Sequence, residues 1–145
     1  MPLPSHARWT RRASGAVCAV LLAVGLAACG NTVSTSGFKG EQHAVAETIS
    51  NLQADATSGE QKKICANDLA SAVVKRLGGT KGCERAIKDQ VAEIDSLETK
   101  VQSIQLGSGG ITATARVKST YGGKGAYRTV LLVKEGGKWK VSALQ

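Results

Sequence analysis

The residue whose type and position indicate chemistry most clearly is Cys29. It ends an uncharged apolar run over residues 16–28, and its immediate neighbours are the small residues Ala28 and Gly30. Three basic residues precede the run: Arg8, Arg11 and Arg12. A basic segment, a short apolar segment and small residues at a cleavage point are the pattern of an export signal. We therefore expect residues 1–28 to be removed, so that Cys29 begins the mature chain.

The sequence Leu26-Ala27-Ala28-Cys29 resembles the lipobox of bacterial lipoproteins. The resemblance implies that the Cys29 thiol receives a diacylglyceryl group and that acyl chains such as palmitate hold the protein at the extracytoplasmic face of the cell membrane. Two acyl chains anchor a protein durably, whereas one binds reversibly. The apolar run of about 13 residues is too short for a membrane-spanning helix, which needs about 20. Secretion without lipid and export by the twin-arginine route remain alternatives.

The other cysteines predict a disulfide. Cys18 lies inside the export signal and would leave with it, so a lipidated Cys29 leaves Cys65 and Cys83 as the only pair. Exported proteins enter an oxidising space in which disulfides persist. This bond would close a loop of about 19 residues and contribute on the order of 3 kcal/mol. A metal site would need further ligands, and His43 is the only histidine of the mature chain. We therefore predict no metal and no cofactor.

Charge is distributed unevenly along the chain. Loss of the three signal arginines lowers the formal net charge from +8 to +5, and residues 100–145 hold eight basic residues but one acidic residue, Glu135. A basic half on a membrane-tethered protein could attract anionic headgroups. The other interpretation is a solvated sheet face. Nucleic acid is not an expected partner, because the mature chain has only four aromatic residues and no stacking platform.

The N-terminal half of the mature chain has helical periodicity. Residues 29–40 are small and polar and predict a flexible tether, and residues 41–145 predict a single domain. Three apolar faces with helical spacing follow. They are Val45, Ile49, Leu52 and Ala56; then Ile64, Cys65, Leu69, Val73 and Leu77; and then Cys83, Ile87, Val91 and Ile94. We predict two to three helices, with Cys65 and Cys83 joining the second to the third.

The C-terminal half has the period of two that is typical of half-exposed strands. Residues 111–118 alternate between apolar and polar side chains, and three further strands are predicted at residues 100–106, 127–134 and 138–144. Short glycine-rich segments separate the strands and predict an antiparallel meander. Helices followed by strands indicate an α+β fold.

This order of elements, ending in Gly136-Gly137-Lys138-Trp139-Lys140-Val141, resembles small exported proteins of the nuclear transport factor 2-like superfamily, with its cystatin-like α+β domain. The resemblance covers residues 41–145. It implies a curved four-stranded antiparallel sheet wrapped around the helices, a cone with an apolar pocket at its wide end. Trp139 is expected to anchor the core, as a lone tryptophan at such a strand position usually does.

The fold by itself supports no particular reaction. We expect a non-enzymatic, membrane-tethered binding or accessory domain, a monomer that takes a small apolar ligand or an envelope protein as partner. The alternative is a small pocket enzyme of the isomerase or dehydratase type. Enzymes of this superfamily use a pocket Asp, His or Tyr, and the weak candidates here are His43 with Glu47, Asp95, Tyr121 and Tyr127.

Overall fold

An antiparallel four-stranded sheet forms the C-terminal half of the domain. The computed structural model describes residues 33–92, 94 and 97–145. The strands are β1 (Glu98–Leu106), β2 (Thr112–Tyr121), β3 (Lys124–Glu135) and β4 (Lys138–Leu144), and they neighbour one another in sequence order. The predicted α+β class and the four-stranded meander are confirmed.

β2 and β3 extend further than predicted towards the turns that follow them, because these two turns need only two residues. Gly122 and Gly123 have φ of 55° and 76°, and Gly136 and Gly137 have φ of 55° and 79°. Two-residue hairpin turns of type I′ require positive φ at both turn positions, a conformation that glycine adopts without a steric penalty. The β2–β3 hairpin therefore turns at residues 122–123, and β3 begins at Lys124 instead of Tyr127.

One helix, α1 (Gly40–Thr57), covers one face of this sheet. Val45, Ala46 and Ile49 are buried against Ala115 and Leu132, which point to the same side of the sheet. A side-chain hydrogen bond from Gln42 Nε2 to the carbonyl of Ile104 (2.9 Å) fixes the helix to β1. The predicted apolar face of this helix is confirmed.

The predicted second helix is interrupted, so the expectation of two to three helices is wrong for the described residues. The structure instead has α2 (Gln61–Lys63), a π-helical turn (Ile64–Asp68), α3 (Ser71–Arg76) and α4 (Gly79–Val91) after α1. Leu69 and Ala70 adopt extended backbone between the π-helical turn and α3. Leu69 forms a parallel bridge with Val141, and the Ala70 amide donates to the Val141 carbonyl at 2.8 Å. The Ala70 amide thus forms a hydrogen bond with the edge strand β4 instead of a hydrogen bond within a continuous helix.

The packed part of the chain begins before the predicted domain boundary at residue 41. Val33 is only 4% exposed and belongs to the main core cluster, and Phe38 packs against that cluster. Both lie within the segment expected to be a tether. The signal residues and Cys29 lie outside the described residues. No helix in the described part of the chain is long and apolar enough to cross a membrane.

The predicted disulfide partners, Cys65 and Cys83, are brought together. Their sulfur atoms are at disulfide distance, and their Cα atoms are 6.0 Å apart. Both side chains are buried. Cys65 lies in the π-helical turn and Cys83 in α4, so the bond connects α4 to the part of the chain that pairs with β4.

Replacing both cysteines should destabilise the fold without removing it. For the double variant Cys65→Ser with Cys83→Ser, we expect the free energy of unfolding to fall by about 3 kcal/mol, because the unfolded chain regains the freedom of the closed loop. Urea denaturation with and without a reductant measures this. Reduced wild type should approach the double variant. Equal stability of the oxidised wild type and the double variant would contradict the structural role.

Candidate functional site

An open groove lies between α1, the π-helical turn and the β3–β4 turn, and we call it the Asp68 groove. Its volume is about 500 Å³. The lining residues are Ala44, Glu47, Thr48 and Asn51 on α1, Asn67 and Asp68 on the π-helical turn, and Gly137, Lys138 and Trp139 at the β3–β4 turn. Most of the polar lining residues are hydrogen-bond acceptors or amides.

Asp68 is the most unusual residue of the groove. It is the last residue of the π-helical turn, directly before the segment that pairs with β4. The residue is only 4% exposed, and among the described residues no N–H or hydroxyl group donates a hydrogen bond to its Oδ2 atom. Buried polar atoms in native proteins nearly always have a partner, so each exception calls for an explanation.

The environment of Asp68 favours its neutral form. The pKa of Asp68 is raised from 3.8 to about 7, and burial is the largest cause of this increase. The negative charge of Asp55 and a hydrogen bond with the Asp55 carboxyl contribute the rest of it. The Lys140 ammonium opposes this increase in pKa. Near neutral pH the Asp68 carboxyl is therefore divided between neutral and charged forms, so it can both donate and accept a proton.

Lys140 is itself held beside the π-helical turn. Its Nζ donates a hydrogen bond to the Ala66 carbonyl at 2.9 Å. The charged groups around Asp68 therefore come from two elements, with Asp55 on α1 and Lys140 on β4. Two carboxyls and one ammonium at this point give a locally acidic centre in a chain that is basic overall.

Trp139 forms part of the wall of the groove. Its side chain is 4% exposed, which confirms the prediction that it anchors the core. Its Nε1 donates to Glu41 Oε2 at 2.8 Å, and Lys134 Nζ contacts Glu41 Oε1 at 2.8 Å. These hydrogen bonds lower the pKa of Glu41. The carboxylate of Glu41, in the first turn of α1, therefore connects that helix to both β3 and β4.

A second, smaller groove is mainly apolar. It lies between α3, α4 and β4, has a volume of about 200 Å³ and is lined chiefly by Leu69, Val73, Leu77, Ala86, Ile87, Val141, Ala143 and Leu144. Its composition suits the small apolar ligand expected from the sequence better than the Asp68 groove does.

The structure does not gather the catalytic candidates proposed from the sequence. His43 is exposed on α1 and is not among the residues that line the Asp68 groove, whereas Glu47 is. Tyr121 and Tyr127 are exposed on the β2–β3 hairpin. Asp95, like Cys29, lies outside the described residues. The expectation that His43 would supply a base in the pocket therefore has no support from its position.

Sequence reasoning missed Asp55 and Asp68. One signal could have identified Asp68, because it follows Ile64 by four residues and Cys65 by three. It therefore lies on the apolar face of the predicted second helix, where a carboxyl must be buried or end the helix. No comparable signal marks Asp55. Among the described residues, no group of three or more His, Cys, Asp or Glu side chains could hold a metal ion.

Comparison with models of protein families, with curated proteins and with solved structures finds no match for this chain. The resemblance to the nuclear transport factor 2-like superfamily therefore depends on the sequence motifs quoted above.

The buried Asp68 carboxyl should make the stability of the protein depend on pH. Its pKa is higher in the folded state than its ordinary value of 3.8, so its stabilising effect is complete below that value and is lost as the pH rises through about 7. We expect the free energy of unfolding of wild type to fall between about pH 4 and pH 7, by at most about 1.4 kcal/mol per pH unit, and to level off above pH 7. Asp68→Asn should lack this component.

Urea denaturation at each pH unit measures the effect. Asp89→Asn, which removes an exposed carboxyl on α4, is the matched control and should follow wild type. Parallel stability curves for wild type and Asp68→Asn over this range would show that Asp68 does not retain its proton in the folded state.

Proposed function

We propose that this protein is an extracytoplasmic lipoprotein, tethered to the cell membrane through Cys29, that binds a small ligand in the Asp68 groove. The observation that carries the binding function is the Asp68 carboxyl at the wall of an open groove, because its buried Oδ2 receives no hydrogen bond from an N–H or hydroxyl group of the described residues. Leaving such an atom unpaired costs about 1–3 kcal/mol. A ligand that donates a hydrogen bond to it would remove this cost.

The polar groups of the groove indicate the chemistry of the ligand. Asp68, Glu47 and the amides of Asn51 and Asn67 provide several acceptors, and Lys138 provides one cation. A small molecule with N–H or O–H donors, such as an amine or a polyol, fits this set of groups. This differs from the apolar ligand expected from the sequence, which would fit the smaller groove.

The arrangement of α1 across one face of a four-stranded meander supports the proposed cystatin-like or nuclear transport factor 2-like fold. In that fold the sheet curves around the helices and forms a cone. The Asp68 groove lies where the helical layer meets the β3–β4 turn, and Trp139 belongs to the motif on which the resemblance depends.

The tether would be short. Val33 is part of the core, and it follows Cys29 by only four positions, with three residues between them. A fully extended chain of that length reaches about 14 Å. A lipid on Cys29 would therefore hold the domain against the surface of the bilayer instead of at a distance from it.

Lipidation is tested by metabolic labelling of the full chain in a bacterial host. When the host cells are fed an alkyne analogue of palmitate, the wild-type protein should carry the label and sediment with membranes, because the Cys29 thiol is the acceptor. Cys29→Ser should lose the label. The matched control Cys18→Ser, in the apolar run of the signal, should keep it. Label on the Cys29→Ser variant, or none on wild type, would refute the proposed anchor.

Ligand binding is tested by native mass spectrometry of the protein solubilised from membranes. Wild type should retain a small-molecule adduct, and Asp68→Leu should lose it because the acceptor is gone. Asn51→Ala, which shortens an exposed lining residue and leaves the core intact, should reduce the adduct. Asp89→Asn serves as the control and should retain it. An adduct that persists in both groove variants would place the ligand elsewhere.

A pocket enzyme is the second candidate, and the Asp68 carboxyl is the observation that favours it. A pKa of about 7 suits a general acid or base, and an isomerase needs only to take a proton from one atom and return it to another. The recovered molecule separates the two functions. A binding domain releases it unchanged, whereas an enzyme converts it, and Asp68→Asn would abolish the conversion.

A further inference from the structure

We propose that the open face of the sheet binds the headgroups of anionic phospholipids through a cation cluster formed by Lys100, Arg116 and Lys118. The inference extends the proposed location at the membrane surface. The cluster lies on the side of the sheet that α1 leaves uncovered, and all three residues are exposed. None of the three residues lines the Asp68 groove, so headgroup binding by the cluster does not depend on ligand binding in the groove.

The faces of β2 establish this position. Ala113, Ala115 and Val117 are buried beneath the helical layer, while the alternate residues of the strand are exposed. Arg116 and Lys118 belong to the exposed set, two residues apart, so both point away from α1. The core cluster of the described residues includes the buried face of β2 and none of the residues on the face that carries Arg116 and Lys118.

The strand register concentrates positive charge. Lys100 on β1 pairs directly with Lys118 on β2, and Arg116 pairs with Ser103. Side chains directly opposite each other on antiparallel strands lie about 5 Å apart at Cβ, and like charges in such pairs destabilise the sheet. A bound anion would turn this repulsion into attraction.

No carboxylate neutralises the cluster within the described part of the chain. The ion pairs there are Lys63 with Glu60 and Lys134 with Glu41, and neither includes a residue of the cluster. Residues 100–134 contain no Asp or Glu. Glu98, two residues before Lys100 on the same strand, is exposed and forms no ion pair with the cluster.

Two contacts hold the cations over the sheet. The Arg116 guanidinium lies over the Tyr127 ring, 5.3 Å from its centroid. The Lys118 side chain lies across Gly125: a Cβ atom built on Gly125 would be only 3.0 Å from Lys118 Cε. The absence of a side chain at Gly125 therefore leaves room for the lysine stem.

The β2–β3 hairpin extends the basic surface. Residues 121–128 are all exposed, and they include Lys124 and Arg128. Tyr127 is 57% exposed. A tyrosine ring has an apolar body and a polar hydroxyl, which suits the headgroup level of a bilayer. Cations beside exposed tyrosines favour an anionic lipid surface over a small dissolved anion, and basic segments near anionic leaflets bind by the same attraction.

The test uses the processed chain, which begins at residue 29, with Cys29→Ser so that no acyl group contributes. Its failure is therefore distinct from failure of the lipid anchor. We expect this protein to sediment with vesicles of phosphatidylglycerol and phosphatidylcholine in equal parts, with binding that weakens as salt is raised. It should not sediment with phosphatidylcholine alone.

The triple variant Lys100→Gln, Arg116→Gln, Lys118→Gln should bind at least about tenfold more weakly. The matched control is Lys62→Gln, Lys75→Gln, Lys88→Gln, which removes the same net charge from exposed helical positions and should bind as wild type. Thermal unfolding establishes that both variants fold. Equal weakening of vesicle binding in the two triple variants would overturn the proposed role of the cluster. Equal binding of wild type to both kinds of vesicle would do the same. So would concentration-dependent dimerisation of wild type that the cluster variant abolishes.

Discussion

The pairing of Leu69 and Ala70 with the edge strand β4 is the interaction on which the arrangement of this domain depends. It ends the π-helical turn at Asp68, and it places the start of α3 beside the β3–β4 hairpin. There the Glu135 carboxylate accepts hydrogen bonds from the Ser71 amide (3.1 and 3.2 Å) and from the Ser71 hydroxyl (2.7 Å). These bonds lower the pKa of Glu135. A carboxylate distant in sequence thus satisfies the first amide of a short helix.

The same pairing explains why a carboxyl is buried beside a groove. Asp68 is the last residue of the π-helical turn, so its position is set by the point at which that turn ends. The disulfide from Cys65 to Cys83 holds the turn in place. Burial of Oδ2 without an N–H or hydroxyl donor among the described residues is unfavourable for folding. Residues of this kind persist where the surrounding structure imposes them, and they concentrate at functional sites. The pairing of Leu69 and Ala70 with β4 therefore accounts for the position of the Asp68 carboxyl beside the groove.

The sheet separates two surfaces of opposite electrostatic character. On its helical side, Asp55 and Asp68 form an acidic centre next to Trp139. On its open side, Lys100, Arg116 and Lys118 form a basic surface without an ion-pair partner among the described residues. Ala113 and Ala115, two small residues of β2, are buried in the same core cluster as the apolar face of α1. The groove and the basic surface thus lie on opposite sides of the sheet.

The sequence by itself determined the elements whose signals are local. The alternation in residues 111–118, the paired glycines of the hairpins and the helical spacing from Val45 to Ala56 predicted the α+β order and the meander, since each pattern reflects one buried face. The pairing of Cys65 with Cys83 followed from elimination. Tertiary structure alone decided where the second helix breaks, because the hydrogen bond that breaks it comes from Val141, more than seventy residues later in the chain. It also decided that Asp55 and Asp68 meet, because their carboxyls belong to different helical segments and only packing brings them together.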